Sequence, residues 1–261
     1  MLRSLYTAAT GMEAQQLKMD TIANNLANAG TTGFKKVRAE FEELMSEQLQ
    51  PATAPQPGGG SSPTPLEVGL GVRTASTQRS FAQGDMLNTQ NPMDIAIEGS
   101  GFLRVQRSNG ETAYTRAGNL RVDAESRIVT QRGELLDPEL VVPAQTTALT
   151  IQQDGTVLAK VAGREELQTV GNIELTVFTN PAGLEAIGNN LYAATQASGE
   201  AVHARPGEQG AGSLAQGYLE GANVKAVEEM VEMISTQRAY ELNSKVIQTA
   251  DQMLQKLTNL R

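Results

Sequence analysis

Side chains that could do chemistry are few and scattered in this sequence. Nucleophilic catalysis needs a nucleophile beside a base, with a third group orienting the base. The single histidine, His203, stands between alanines and a valine, and cysteine is absent. One imidazole without thiolates cannot assemble a soft transition-metal site. The carboxylate pairs Glu42/Glu43 and Glu228/Glu229 fall in segments that read as helical. Neighbours on a helix point about 100° apart, so these pairs read as solvated faces and not as an acid–base couple. Gly69-Leu70-Gly71 and Gly99-Ser100-Gly101 lack the third glycine and the strand–helix context of a phosphate loop, and read as turns. Lys35, Lys36 and Arg38 form a small basic cluster, read as solvated or as a contact between subunits. The expectation is a non-enzymatic protein with no cofactor, no metal and no small-molecule substrate.

The elements that position these residues are clearer. From Ser4 to Ala29, Leu5, Met12, Met19 and Leu26 recur every seven positions, and Ala8, Gln15 and Ile22 follow three behind. That spacing places a narrow apolar seam on one helix face. Ser4 reads as the N-cap, and Asn28 and Gly30 as a left-handed stop. A second helix is expected from Asn223 to Leu260. There Val227, Met230, Val231 and Ile234 form one cluster, and Tyr240, Val246, Ile247, Ala250, Met253, Leu254, Leu257 and Leu260 read as continuing its face. Both seams suit a partner helix. Leu5, Met12, Met19, Ile22, Leu26, Val227, Ile234, Tyr240, Ile247, Leu254 and Leu257 are the expected self-assembly residues.

Between the helices the signals change. Pro51, Pro55, Pro57, Gly58, Gly59, Gly60, Pro63 and Pro65 crowd one stretch that can form neither helix nor ladder. From Val72 to Gly217 the pattern is one of strands and tight turns. Asn109-Gly110 and Asp154-Gly155 each separate alternating runs, as hairpin turns do. The expected fold is α+β: N- and C-terminal helices form a coiled-coil-like stem, and an antiparallel β-rich domain is inserted between them. The expected divisions are 1–30, 31–71, 72–217 and 218–261. With 21 basic and 29 acidic residues the net charge is -8, which argues against nucleic-acid binding. Thr7, Thr10 and Glu13 interrupt any apolar signal segment at the N-terminus.

Four blocks carry a family resemblance. They are Ile22-Ala23-Asn24-Asn25-Leu26-Ala27-Asn28 with Thr32-Gly33-Phe34-Lys35; Ala96 to Phe102; Tyr114 to Gly118; and Gln216 to Glu220 with Asn223-Val224, Glu229-Met230 and Gln237-Arg238-Ala239-Tyr240. In order and over almost the whole chain, they resemble the bacterial flagellar rod/hook axial protein family. The segment from Phe41 to Gly84, with its Pro/Gly-rich insert, resembles the distal rod branch, with a proximal rod subunit the alternative. A coiled-coil-stemmed β-domain binding module is a third reading. Ala117, Ser126 and Ala222 depart from the pattern, which often has Asp, a turn glycine and Ser there. The resemblance implies a subunit exported unfolded, without a cleaved signal peptide, through the flagellar type III export apparatus. Such subunits polymerise helically in the periplasm into a rigid hollow drive shaft. The implied partners are other copies of the chain, proximal rod proteins, the hook protein and the surrounding P- and L-ring proteins. The Pro51–Pro65 stretch is expected to stiffen the tube.

Overall fold

The structure, a computed structural model, describes residues 2–50, 64–164 and 166–259; the side chains of Leu2 and of residues 257–259 are outside the description. The chain opens with helix α1, Leu2–Ala27, and closes with helix α2, Ala226–Asn259. The strands between them pair antiparallel wherever their register is given. Two compact units result. One comprises the described parts of 1–27, 37–78 and 225–261; the other comprises 28–36 and 79–224.

In the first unit, α1 and α2 pack on each other. The contacts run antiparallel: Gly11 meets Asn243, Lys18 pairs with Glu232 at 2.9 Å, and Asn25 donates to Glu229 at 3.3 Å. Ser4 lies inside α1, not at its cap, because the helix already begins at Leu2. The expected left-handed stop is also corrected. Neither Asn28 nor Gly30 has a positive φ. The chain leaves the helix through a turn in which the Thr31 N–H donates to the Asn28 carbonyl at 3.0 Å. Glu42 and Glu43 end a strand, Val37–Glu43, and not a helix. That strand pairs with Val72–Arg79, which therefore belongs with the helices although the sequence placed it in the β-rich domain. Glu47–Gln50 pairs with Leu66–Val68, with Gln50 opposite Leu66. The Pro/Gly-rich stretch thus joins two paired strands; residues 51–63 are outside the described residues, and Pro65 is exposed.

The second unit carries the hydrophobic core. Its largest sheet has nine strands. Phe102–Gln106 stands near the middle, pairing with Thr112–Thr115, Leu135–Leu136 and Leu175–Val177. Both expected hairpins form, with Gly110 at φ 83° and Gly155 at φ 87°. Ile95, Leu103, Val105, Val157, Ile173 and Leu175 lie in one aliphatic cluster. Phe102, Tyr114, Phe178 and Tyr192 form a second, with Phe81 against it, and the rings meet edge to face. Tyr218–Glu220 pairs with Met86–Asn88 here, and α2 starts at Ala226, three residues beyond its expected start.

Candidate assembly site and its anchoring residues

Helix α2 has two faces of opposite character. Toward α1 it turns Glu229, Thr236, Asn243 and Ala250, each seven residues from the last; Glu229, Thr236 and Ala250 are buried. Met233, Ile247 and Leu254 flank this seam, half-buried. On α1, Ala8, Ala14, Ile22 and Asn25 are buried and Leu5, Met12, Met19 and Leu26 half-buried, with Asn25 meeting Glu229 of α2. Small and polar groups dominate the contact, and they let two backbones approach closely. The larger apolar groups of α2 point the other way. Val227 is 69% exposed and Ile234 58%, and Val231, Leu242, Val246 and Met253 are exposed with them.

The expected self-assembly set therefore divides. Ile22 is buried, and Leu5, Met12, Met19, Leu26, Ile247 and Leu254 are half-buried. Val227 and Ile234 are exposed, and Tyr240 is 38% exposed. The side chain of Leu257 is outside the description. The cause is one of phase. Val227 and Ile234 are seven apart, as are Tyr240, Ile247 and Leu254, but the two series are offset by one residue, which turns them about 100° apart on the helix. One continuous face was read where the molecule has two.

The motif residues act chiefly as clamps. In the first unit the Asn25 carboxamide donates to the Val37 carbonyl at 2.8 Å and accepts from the Val37 N–H at 3.0 Å. In the second unit Asn223 does the same work on three backbone groups. It accepts from Lys36 N–H at 2.6 Å and donates to the Ser80 and Ala82 carbonyls at 2.9 and 3.0 Å. Gly33 has φ 69°, and a Cβ there would stand 2.8 Å from the Ala117 nitrogen, so no other residue fits without a shift. Its N–H donates to the Glu220 carbonyl at 2.8 Å. Phe34 is buried beside it in sequence, and the Thr32 carbonyl accepts from Asn190 at 2.9 Å. Asn28 lies in the turn after α1. Asn24, Gln237 and Arg238 are exposed, Arg238 pairing with Glu241 at 2.8 Å, and Val224 is half-buried.

The basic cluster is corrected at Lys35, whereas Lys36 is half-buried and Arg38 exposed, pairing with Glu40 at 2.6 Å. Lys35 is fully buried and not solvated; its ammonium meets Glu220 at 2.7 Å and the Ala82 carbonyl at 2.7 Å. Arg116 reaches the other oxygen of Glu220 at 2.9 Å and the Gly99 carbonyl at 2.6 Å. Three of the four motif blocks thus converge on one carboxylate. Burial holds the Lys35 pKa below the ordinary lysine range, and the Arg116 charge lowers it further against the pull of Glu220. Glu229, expected on a solvated face, is buried as well. No local pattern marks such residues, since the Lys35–Glu220 pair spans 185 positions. His203 lies in the strand Val202–Ala204. Its ring contacts Arg104 at 2.9 Å and the Thr176 hydroxyl at 3.1 Å.

The architecture suits an axial subunit: a pair of terminal helices bears an exposed apolar stripe, and a β-rich unit is inserted between them in the chain. Comparison with known proteins agrees. The family model for flagella basal body rod proteins matches residues 5–35, the D1 domain of hook protein FlgE/F/G matches 96–159, and the flagellar basal body rod FlgEFG C-terminal model matches 215–260. The flagellar basal-body rod protein FlgG of Caulobacter vibrioides is 47% identical over 261 residues, covering the whole of both chains. That of Borreliella burgdorferi is 46% identical over 263 residues, covering all of this chain and 99% of its own. The FlgG of Bacillus subtilis is 37% identical, again over the full length of both. The chain belongs to the flagellar basal-body rod protein family.

Proposed function

We propose that this structural subunit of the flagellar rod polymerises helically into the distal part of the shaft. The outward stripe of α2 is the assembly surface. The observation that carries this is the inversion of α2, which keeps Glu, Thr, Asn and Ala for its own partner and leaves Val, Ile, Leu and Met in solvent. A helix so exposed has a second apolar face to bury, and neighbouring copies supply the groove. Each of these side chains contributes about 1.5–3 kcal/mol at full burial. In the assembly the two helices form a coiled-coil-like stem lining a hollow tube, and the β-rich unit lies outside it. The Pro51–Pro65 stretch bridges neighbouring copies and opposes the sliding that would let the tube bend. The chain reaches the site unfolded through the flagellar type III export apparatus. It meets proximal rod proteins at one end, hook protein at the other, and the P- and L-ring proteins around it. Electron cryo-microscopy of filaments grown from purified chain tests this. Ile234 and Val227 packed between subunits are the expected result; filaments with both facing solvent refute the assignment.

A further inference from the structure

Residues 28–36, between α1 and the strand Val37–Glu43, belong to the β-rich unit, although none of them lies in a helix or strand. A segment outside any ladder is held by separate bonds. The Gly33 N–H donates to the Glu220 carbonyl at 2.8 Å, and Asn190 donates to the Thr32 carbonyl at 2.9 Å. The Lys36 N–H donates to the Asn223 carboxamide at 2.6 Å, and the Lys36 carbonyl accepts from the Ser80 N–H at 2.9 Å. The Lys35 ammonium reaches Glu220 and the Ala82 carbonyl. Little apolar surface backs these bonds. Phe34, the one large apolar side chain of the segment, is buried but is part of neither hydrophobic cluster. Asn28, Thr31 and Thr32 border a polar cleft of about 420 Å³ whose other side includes Thr115, Asn119 and Thr130.

The buried groups that receive Lys35 are satisfied without it. The Glu220 carboxylate also accepts from Arg116 at 2.9 Å and from the Gly84 N–H at 2.9 Å. The Ala82 carbonyl also accepts from the Asn223 carboxamide at 3.0 Å. Arg116 has the Gly99 carbonyl at 2.6 Å besides Glu220. Removing one member of a buried ion pair ordinarily strands the other. Departure of Lys35 instead leaves one buried cation on one buried carboxylate, where its presence gives two. Burial already holds the Lys35 pKa below the ordinary lysine range, so return to water favours its ammonium form. The Glu220 carbonyl and the Ser80 N–H do lose a partner, but the departing segment uncovers them to water.

We propose that residues 28–36 form a detachable strap, which docks last on a β-rich unit already folded and can leave it while that unit stays intact. The unit then has two forms, strapped and open. Gly33 governs closure, because its φ of 69° and the 2.8 Å from its Cβ position to the Ala117 nitrogen leave no room for a side chain. Since α1 precedes the strap in the chain, opening also disengages the chain upstream of Val37 from the β-rich unit. A subunit can therefore hold a finished β-rich unit while its N-terminal segment is still unfixed.

Amide hydrogen exchange of the full-length chain, dilute and unassembled, tests this residue by residue. The N–H groups of Gly33 and Lys36, both bonded to the β-rich unit, exchange at least about 100-fold faster than those of Phe102–Gln106 after correction for intrinsic rates, because opening the strap takes less free energy than unfolding the sheet. Gly33→Ala erases the protection of residues 33–36 and leaves that of Phe102–Gln106 within about threefold. Lys35→Ala loosens the strap by about tenfold or more and spares the strand, since Glu220 retains Arg116 and the Gly84 N–H. Equal protection of strap and strand in the unaltered chain overturns the proposal. In Gly33→Ala, a strand that loses its protection together with the strap overturns it, and so does a strap still protected. Lys35→Ala overturns it as well if strand and strap are unprotected to the same degree.

Discussion

Glu220 is the single carboxylate between two buried cations, and this asymmetry sets the order of substitution effects. Replacing it with Gln leaves Lys35 and Arg116 facing each other uncompensated, where both now lie within 3 Å of a Glu220 oxygen. Glu220→Gln is expected to destabilise the β-rich unit by about 3–5 kcal/mol. Lys35→Met removes the surplus charge and leaves a one-to-one pair, so its cost stays under about 2 kcal/mol. Urea denaturation of the two variants checks the order, and a larger loss in Lys35→Met refutes it. The sign of the pH effect follows from the lowered Lys35 pKa. Between its folded and ordinary values the unfolded chain binds more protons, so the Lys35 contribution to stability rises with pH across that interval. Lys35→Met flattens the rise; a slope unchanged in the variant assigns it to another group. Ser126 gives a third case at this scale. Its φ is 63°. Left-handed backbone costs a residue with a Cβ about 1–2 kcal/mol, which glycine avoids at some cost in unfolded-state entropy. Ser126→Gly is therefore expected to raise the melting temperature by a few degrees, corresponding to about 0.5–1 kcal/mol; a fall would show that the serine has a compensating contact.

The elements differ in how much of them the sequence disclosed, and the reason is the range of the interactions that specify them. Helix α1 was legible because heptad spacing is a local property; of the spaced residues Ile22 is buried and Leu5, Met12, Met19 and Leu26 are half-buried. The hairpins at Asn109-Gly110 and Asp154-Gly155 were legible because two residues specify each turn. The two faces of α2 were not separable, because valine or isoleucine at heptad spacing looks the same whether it meets its own chain or another. Pairing of Leu175–Val177 with Phe102–Gln106 was beyond reach, since nothing local links strands seventy positions apart. The two faces of α2 predict opposite phenotypes. Ile234→Asp places a charge on the solvent face and is expected to change monomer stability by no more than about 0.5 kcal/mol, while blocking polymerisation by burying that charge between copies. Ala250→Asp puts the same charge in the contact with α1 and unfolds the helix pair before any assembly. Sedimentation of assembled material and helical circular dichroism separate the cases. An Ile234→Asp chain that still forms filaments rules out the outer stripe as the assembly surface.

At the scale of the molecule, the two units have unequal means of holding themselves together. The β-rich unit has two clusters of fully buried aliphatic and aromatic side chains and an internal ion cluster. The unit with the helices buries mainly Ala8, Ala14, Ile22 and Ala250, with half-buried residues around them. Ordering each residue of α1 and α2 costs roughly 1–2 kcal/mol of backbone entropy, and an alanine buries too little surface to offset much of that. The larger side chains of α2 contribute only when another copy covers them. Stability of this unit is accordingly coupled to assembly, because whatever binds the folded form alone stabilises it by mass action. Isolated chain in urea is therefore expected to unfold in two steps. Helical ellipticity falls first, and the near-ultraviolet signal of Tyr114 and Tyr192, both buried in the aromatic cluster, persists to higher denaturant. Limited proteolysis at intermediate urea removes the terminal segments and spares 79–224. In assembled filaments the helical transition moves up toward that of the β-rich unit. Coincident transitions for both probes in a sample shown by sedimentation to be monomeric would mean that the helix pair is stable by itself, and the coupling of its folding to polymerisation would be refuted.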